Sequence, residues 1–263
     1  MAISETLQGG FEGGSHTALT ETEAVTFTIT DAARQTLYVA VTFDDQGDSS
    51  GRTITCRFAP TGQSGNSAYD MTEIRRNTQS GPFVAVFKRL DPYTAGAGFF
   101  TISSSAAFNS RQWRVIAWTV QDNDQTTPND APPTNAESAS TTSSTLAVSS
   151  ATTDRVYTVL AADGKTVAAV GINSPGTLLD ERSGAGGVYL GAAVYAGATT
   201  VNTSWGNGSG SAWSGAAPAV EIAFNANEDT GGGGTTAQPG AGALTLTGTS
   251  LGLGFTINMP SEA

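Results

Sequence analysis

A chain of 263 residues carrying 23 Asp and Glu against 12 Lys and Arg has a net charge of −11, and its two lysines, Lys88 and Lys165, lie far apart. That balance argues against electrostatic capture of nucleic acid, because phosphate binding needs concentrated Lys and Arg. Charged residues make up only 13%, and Gly, Ser, Thr, Ala and Asn dominate the surface-type positions, the look of an all-β protein long enough for one large β domain or two smaller units.

The chain opens on "MAISETLQGG", which has neither a basic n-region nor an apolar h-region, so no secretory signal is expected. No apolar run approaches the roughly 18 residues of a membrane helix, so no membrane insertion is expected either. These features point to synthesis in a cytoplasm, while the acidic, small-residue surface suits a multi-copy assembly that stays soluble at high local concentration. Release by cell lysis, as with a virus particle, reconciles the two. His16, the single histidine, follows in "FEGGSHTALT"; one histidine cannot supply a multi-histidine metal site.

Period-two or short continuous β-rich runs recur between turn signals from here on. Strands are predicted at 24–30, 36–43, 53–58, 71–76, 83–90, 98–105 and 113–121. The density is that of a sandwich. Cys56, the single cysteine, cannot form an internal disulfide and reads as a small buried thiol in "RTITCRF". The loop "DDQGDSSG" gathers Asp44, Asp45 and Asp48, and "DNDQ" gathers two more acids. Calcium takes such oxygen ligands, but neither loop has EF-hand spacing, so solvated acidic turns are expected, with no cofactor. Trp113 and Trp118 lie five residues apart on one strand and so point to opposite faces, which predicts that at most one is easily core.

A Pro, Ser and Thr-rich stretch without apolar periodicity runs over 122–144 and reads as a linker or an extended crossover. Strands resume at 145–150, 154–163, 165–171, 177–183, 187–196, 199–205 and 217–225. The two halves, about 24–121 and 145–226, echo each other. "RQTLYVAVTFDD" answers to "DRVYTVLAAD", "MTEIRR" to "LLDERS", "FVAVFKRL" to "VYLGAAVY", and "WRVIAWTV" to "APAVEIAF". Order and spacing are kept more than residue identity, the signature of two sheet-forming halves that fold together or side by side.

Chemistry is sparse in this pattern. "GNGSGSAW" contains G-x-S-x-G, but no strand-to-helix elbow or downstream histidine accompanies it. Glycosidases of sandwich type work with two acids across a cleft, which singles out Glu73 and Glu221 on their strands. Alternation in "AVEIAF" puts Val220 and Ile222 in the core and predicts that Glu221 faces solvent. No catalytic residue is assigned. Trp205 and Trp213 bracket the loop "GNGSGSA", where aromatics beside small polar residues could stack on a sugar ring or plug the end of a sandwich.

The chain closes through a Gly-rich hinge, 227–240, into an arm over 241–263. Four consecutive glycines carry a high ordering entropy and read as a hinge. Beyond it Leu244 and Leu246, then Leu251, Leu253, Phe255 and Ile257, alternate with small or polar residues. Such an arm protects its apolar face by adding to a sheet, of its own subunit or of a neighbour. A hinge serves reach, which favours the neighbour and a homo-oligomer.

The segments "RQTLYVAV", "DMTEI", "WRVIAWTVQDNDQTTP" and "APAVEIAF" resemble, over about 25–225, a sandwich domain of phage virion proteins and bacterial surface proteins. The resemblance implies a concanavalin-like jelly roll, an antiparallel β-sandwich of two sheets packed face to face. "PGAGALTLTG" is similar to short C-terminal segments of tailed-bacteriophage structural proteins, although the familiar pattern continues with Tyr and Pro where this chain has "TSLGLGF". Together they imply a non-enzymatic virion-surface protein, a capsid decoration or head fibre, with itself and other virion proteins such as the major capsid protein as partners. The alternative is a carbohydrate-binding adhesin or receptor-binding module that contacts host-surface glycans.

Overall fold

The computed structural model describes residues 3–13, 19–21, 25–29, 34–43, 53–60, 62–63, 65–77, 82–92, 97–108, 113–129, 136–140, 143–163, 170–172, 175–183, 188–207 and 219–229. All of them belong to one compact unit, Met1–Thr230. Its first half supplies β1 (Ser4–Gly13), β2 (Leu19–Glu21), β3 (Val25–Thr28), β4 (Thr36–Phe43), β5 (Ile54–Pro60), β6 (Thr72–Arg76), β7 (Phe83–Leu90), β8 (Ala97–Phe108) and β9 (Trp113–Gln121). The second half supplies β10 (Ala136–Ser140), β11 (Ser143–Ser149), β12 (Arg155–Asp163), β13 (Val170–Ile172), β14 (Thr177–Arg182), β15 (Val188–Ala196), β16 (Thr200–Asn207) and β17 (Ala219–Ala226).

The protein is all-β, with antiparallel sheets packed together. One sheet runs β1-β9-β4-β7-β6 and its counterpart runs β10-β17-β12-β15-β14. Outside the first, β8 pairs with β2, β3 and β5; outside the second lies β11-β16-β13. Substituting β10 for β1, β17 for β9, β12 for β4, β15 for β7 and β14 for β6 turns one inner sheet into the other. The four segment matches read between the halves fall on these same places.

The described residues form four stacked sheets, and the hydrophobic residues show why. Leu37, Val39, Val41 and Phe43 of β4 pack against Phe58 and Phe100 of the outer sheet, while Tyr38 and Ala40 turn the other way onto Tyr157, Leu190 and Phe224. The second inner sheet is likewise covered twice, with Leu160, Tyr189 and Trp205 packed on its far face. Strands covered on both faces need apolar residues at every position, and β4, β15 and β17 are the near-continuous apolar runs this requires. Trp113 and Trp118 do point to opposite faces, but both are buried. The expectation that at most one is core fails because the second face of the sheet has a sheet of its own.

Between the inner sheets β1 lies against β14, β9 and β4 against β15, and β7 against β12 and β17. The edge strands β6 and β14 carry matching bulges, between Glu73 and Arg75 and between Leu178 and Asp180. Each extra residue, Ile74 or Leu179, packs against the shared core between the inner sheets. A bulge re-aims a side chain in this way.

Three strands escaped sequence reading: β1 with the sequence SETLQGGFEG, the three-residue β2 with LTE, and β10 with AESAS, none with an apolar alternation. β1 and β10 are edge strands, held by their ladders to β9 and β17. Thus the Pro, Ser and Thr-rich stretch 122–144 contains a strand.

Candidate functional site

Trp205, weighed between a glycan contact and a plug for the end of the sandwich, is fully buried between β12, β15 and β16. Its indole Nε1 donates to Thr158 Oγ1 at 3.0 Å, so neither face nor edge is open to a sugar. Alternation explains the burial: Val201, Thr203 and Trp205 point inward while Thr200 and Asn202 are exposed. Trp213, His16, Asp44, Asp45 and Asp48 lie outside the described residues, as do Leu244, Leu246, Leu251, Leu253, Phe255 and Ile257 of the arm.

Glu221, expected to face solvent, is also fully buried. It does alternate with Val220 and Ile222, which fill the core between the inner sheets, but its own side meets the outer sheet. Glu221 Oε1 accepts from Thr158 Oγ1 at 2.6 Å and Thr203 Oγ1 at 2.5 Å. Burial raises the carboxyl pKa, and hydrogen bonds from Ser144, Thr158 and Thr203 oppose the shift. By register, Tyr38 faces Trp118 as Tyr157 faces Phe224, so Val115 and Val39 stand in the first half where Glu221 and Thr158 stand in the second. The polar cluster is thus particular to one half. Glu73 sits on edge strand β6, ion-paired with Arg76. The second inner sheet separates it from Glu221, so the two acids do not flank one cleft.

A polar latch joins the halves at one end. Asn123, fully buried, accepts from Tyr38 OH at 3.0 Å and donates through Nδ2 to Pro128 O at 3.2 Å and Asn227 O at 2.8 Å. Lys88 Nζ donates to Asn129 Oδ1 and Asn129 Nδ2 donates to Asn225 O, both at 2.5 Å. Arg34 and Asp229 form an ion pair at 2.7 Å, and Asp229 N donates to Asp122 O at 2.8 Å. Three non-glycine residues in the left-handed region, Arg34, Asp91 and Asp122, lie at this same end, with φ of 54°, 44° and 54°. Such strain persists where the surroundings over-determine it. The asparagines lie outside the strand pattern, and only the Asn and Asp richness of 122–129 hinted at them.

One cleft opens beside the outer strand β16. It has a volume of about 290 Å³ and is lined by Pro175, Tyr195, Ala196 and Ala198 together with Thr200, Val201 and Asn202 of the strand. β11 pairs one side of β16 along its length, from Thr200 to Gly206. On the other side, among the described residues, β13 pairs Trp205, Gly206 and Asn207. Next to that ladder the Tyr195 hydroxyl accepts from Ser204 N at 3.0 Å and donates to Ser204 O at 3.2 Å, standing in for a strand. The Ser204 amide and carbonyl therefore point away from β11, and the alternation of an antiparallel ladder aims those of Asn202 and Thr200 the same way, into the cleft. Gly176 lets the loop after β13 close on the Tyr195 ring, because a Cβ there would stand 2.5 Å from Cζ.

Comparison of the chain with protein-family models, with curated proteins and with solved structures found no match.

Proposed function

We propose that the protein is a non-enzymatic structural component of a tailed-bacteriophage particle, a capsid decoration or head-fibre protein that self-associates through β-sheet contacts. The observation that carries the reading is the contrast between a compact body and its tail. Residues 1–230 form a self-contained unit, yet 33 further residues, Gly231–Ala263, follow with one charged residue, Glu262. An alternating apolar arm on a glycine hinge gains most by joining the open edge of another sheet. The strand order supports the jelly-roll reading of each half, since the last strand of each lies inside its inner sheet, β9 between β1 and β4 and β17 between β10 and β12.

The two candidate acids support this reading over hydrolysis, since Glu73 is ion-paired on an edge and Glu221 is sealed in the core. The glycan reading rested on Trp205 and Trp213, and Trp205 is core. Light-scattering mass of the full chain against a chain ending at Asp229, both at micromolar concentration, tests the proposal. An oligomer that becomes a folded single chain on truncation supports it; equal masses overturn it.

A further inference from the structure

We propose that the cleft beside β16 is the receptor for the arm of a second copy, with Ala243–Thr247 added as a strand along Thr200–Ser204. The inference rests on the assembly reading above and names the site where the arm docks.

Four observations converge on it. Among the described residues no strand pairs β16 on its far side at Thr200 and Asn202, and Tyr195 already satisfies the next residue in that alternation, Ser204, as a strand would. Unpaired edge groups select an extended peptide over a compact ligand. The apolar side chains lining the cleft, Pro175, Tyr195, Ala198 and Val201, lie below that edge. An added strand places alternate residues on that side, and "ALTLT" places Leu244 and Leu246 there while Thr245 and Thr247 join Asn202 and Thr200 on the exposed face.

The match extends to length and charge. Thr200–Ser204 and Ala243–Thr247 are both five residues. Threonine between the leucines favours an extended strand, unlike the glycines between Leu251, Leu253 and Phe255. None of the residues lining the cleft is charged, and neither is any residue from Gly231 to Ser261. In a chain with a net charge of −11, copies repel, and an uncharged contact is where approach is least opposed.

The test compares light-scattering mass at micromolar concentration for the full chain, the chain ending at Asp229, and full chains carrying Ala198→Glu or Asn202→Pro. Ala198 is half-buried in the cleft, at the margin of a core cluster, so Glu there blocks the leucines. Proline at 202 deletes the edge amide that a strand would engage. Near-ultraviolet circular dichroism checks that each variant is folded. The expected result is a full-chain oligomer and a single-chain mass for the truncation and for whichever cleft variants keep the native spectrum. If truncation dissociates the oligomer while a folded cleft variant keeps the full mass, the assembly reading stands and the cleft is overturned as its receptor. If truncation leaves the mass unchanged, both fall. Should both cleft variants lose the native spectrum, labelled peptide 241–249 is titrated against the truncated chain with and without Tyr195→Phe. Saturable binding weakened at least tenfold by the substitution supports the site, and binding that is absent or unchanged overturns it.

Discussion

Tyr38 and Tyr157 hold equivalent places in the two inner sheets and stack on each other with ring centroids 5.9 Å apart. Each also faces an aromatic directly across its own ladder, Trp118 for Tyr38 and Phe224 for Tyr157. The four rings pack together where the halves meet. Their surroundings differ at the hydroxyls. Tyr38 OH donates to Asn123, while Tyr157 OH is buried without a hydrogen-bond partner among the described residues.

That difference predicts unequal effects of one substitution. Tyr38→Phe should cost about 1–3 kcal/mol by leaving the buried Asn123 Oδ1 without its donor, whereas Tyr157→Phe should be neutral or stabilising because it removes an unmet polar group. Urea unfolding midpoints of the two variants measure the contrast. Equal losses would show that the latch does not depend on the Tyr38 hydroxyl.

Glu221 sets a pH dependence. Its folded pKa is raised above the ordinary value of 4.5 by burial, so as pH rises the unfolded state gives up the proton first and stability falls. The contribution is intact below the unfolded pKa and is lost as pH climbs through the folded one. Glu221→Gln should therefore show a smaller drop in stability between pH 4 and pH 8 than the native chain. Denaturation midpoints at both pH values check it; an unchanged drop would place the dependence in other groups.

Trp205→Ala should act on stability. Removing a fully buried indole that also donates to Thr158 should cost about 3–5 kcal/mol. Thermal unfolding reads the loss directly, and a variant as stable as the native chain would contradict the buried position.

Asp91 offers the opposite sign. It is exposed and sits at φ 44°, a conformation that costs a side-chain-bearing residue about 1 kcal/mol. Asp91→Gly should raise stability by about 0.5–1 kcal/mol, less the extra entropy of glycine in the unfolded chain. Chemical denaturation measures the gain, and a loss would mean that the carboxylate itself holds the turn.

Local pattern was sufficient for the central strands. Thr36–Phe43, Phe83–Leu90 and Trp113–Gln121 have the bounds predicted from the chain alone, because apolar runs between turn residues are read from nearest neighbours. The correspondence between the halves was legible too, since the matched strands keep their order. What covers each face of a strand is not local. Alternation placed Glu221 opposite Val220 and Trp118 opposite Trp113, and both statements hold. Only the stacking of the sheets decided that neither side faces water, which sent Glu221 into the core and made Trp113 and Trp118 both core residues. The edge strands β1 and β10 depended on tertiary structure for the same reason: with no apolar alternation of their own, their conformation is set by the ladders of β9 and β17.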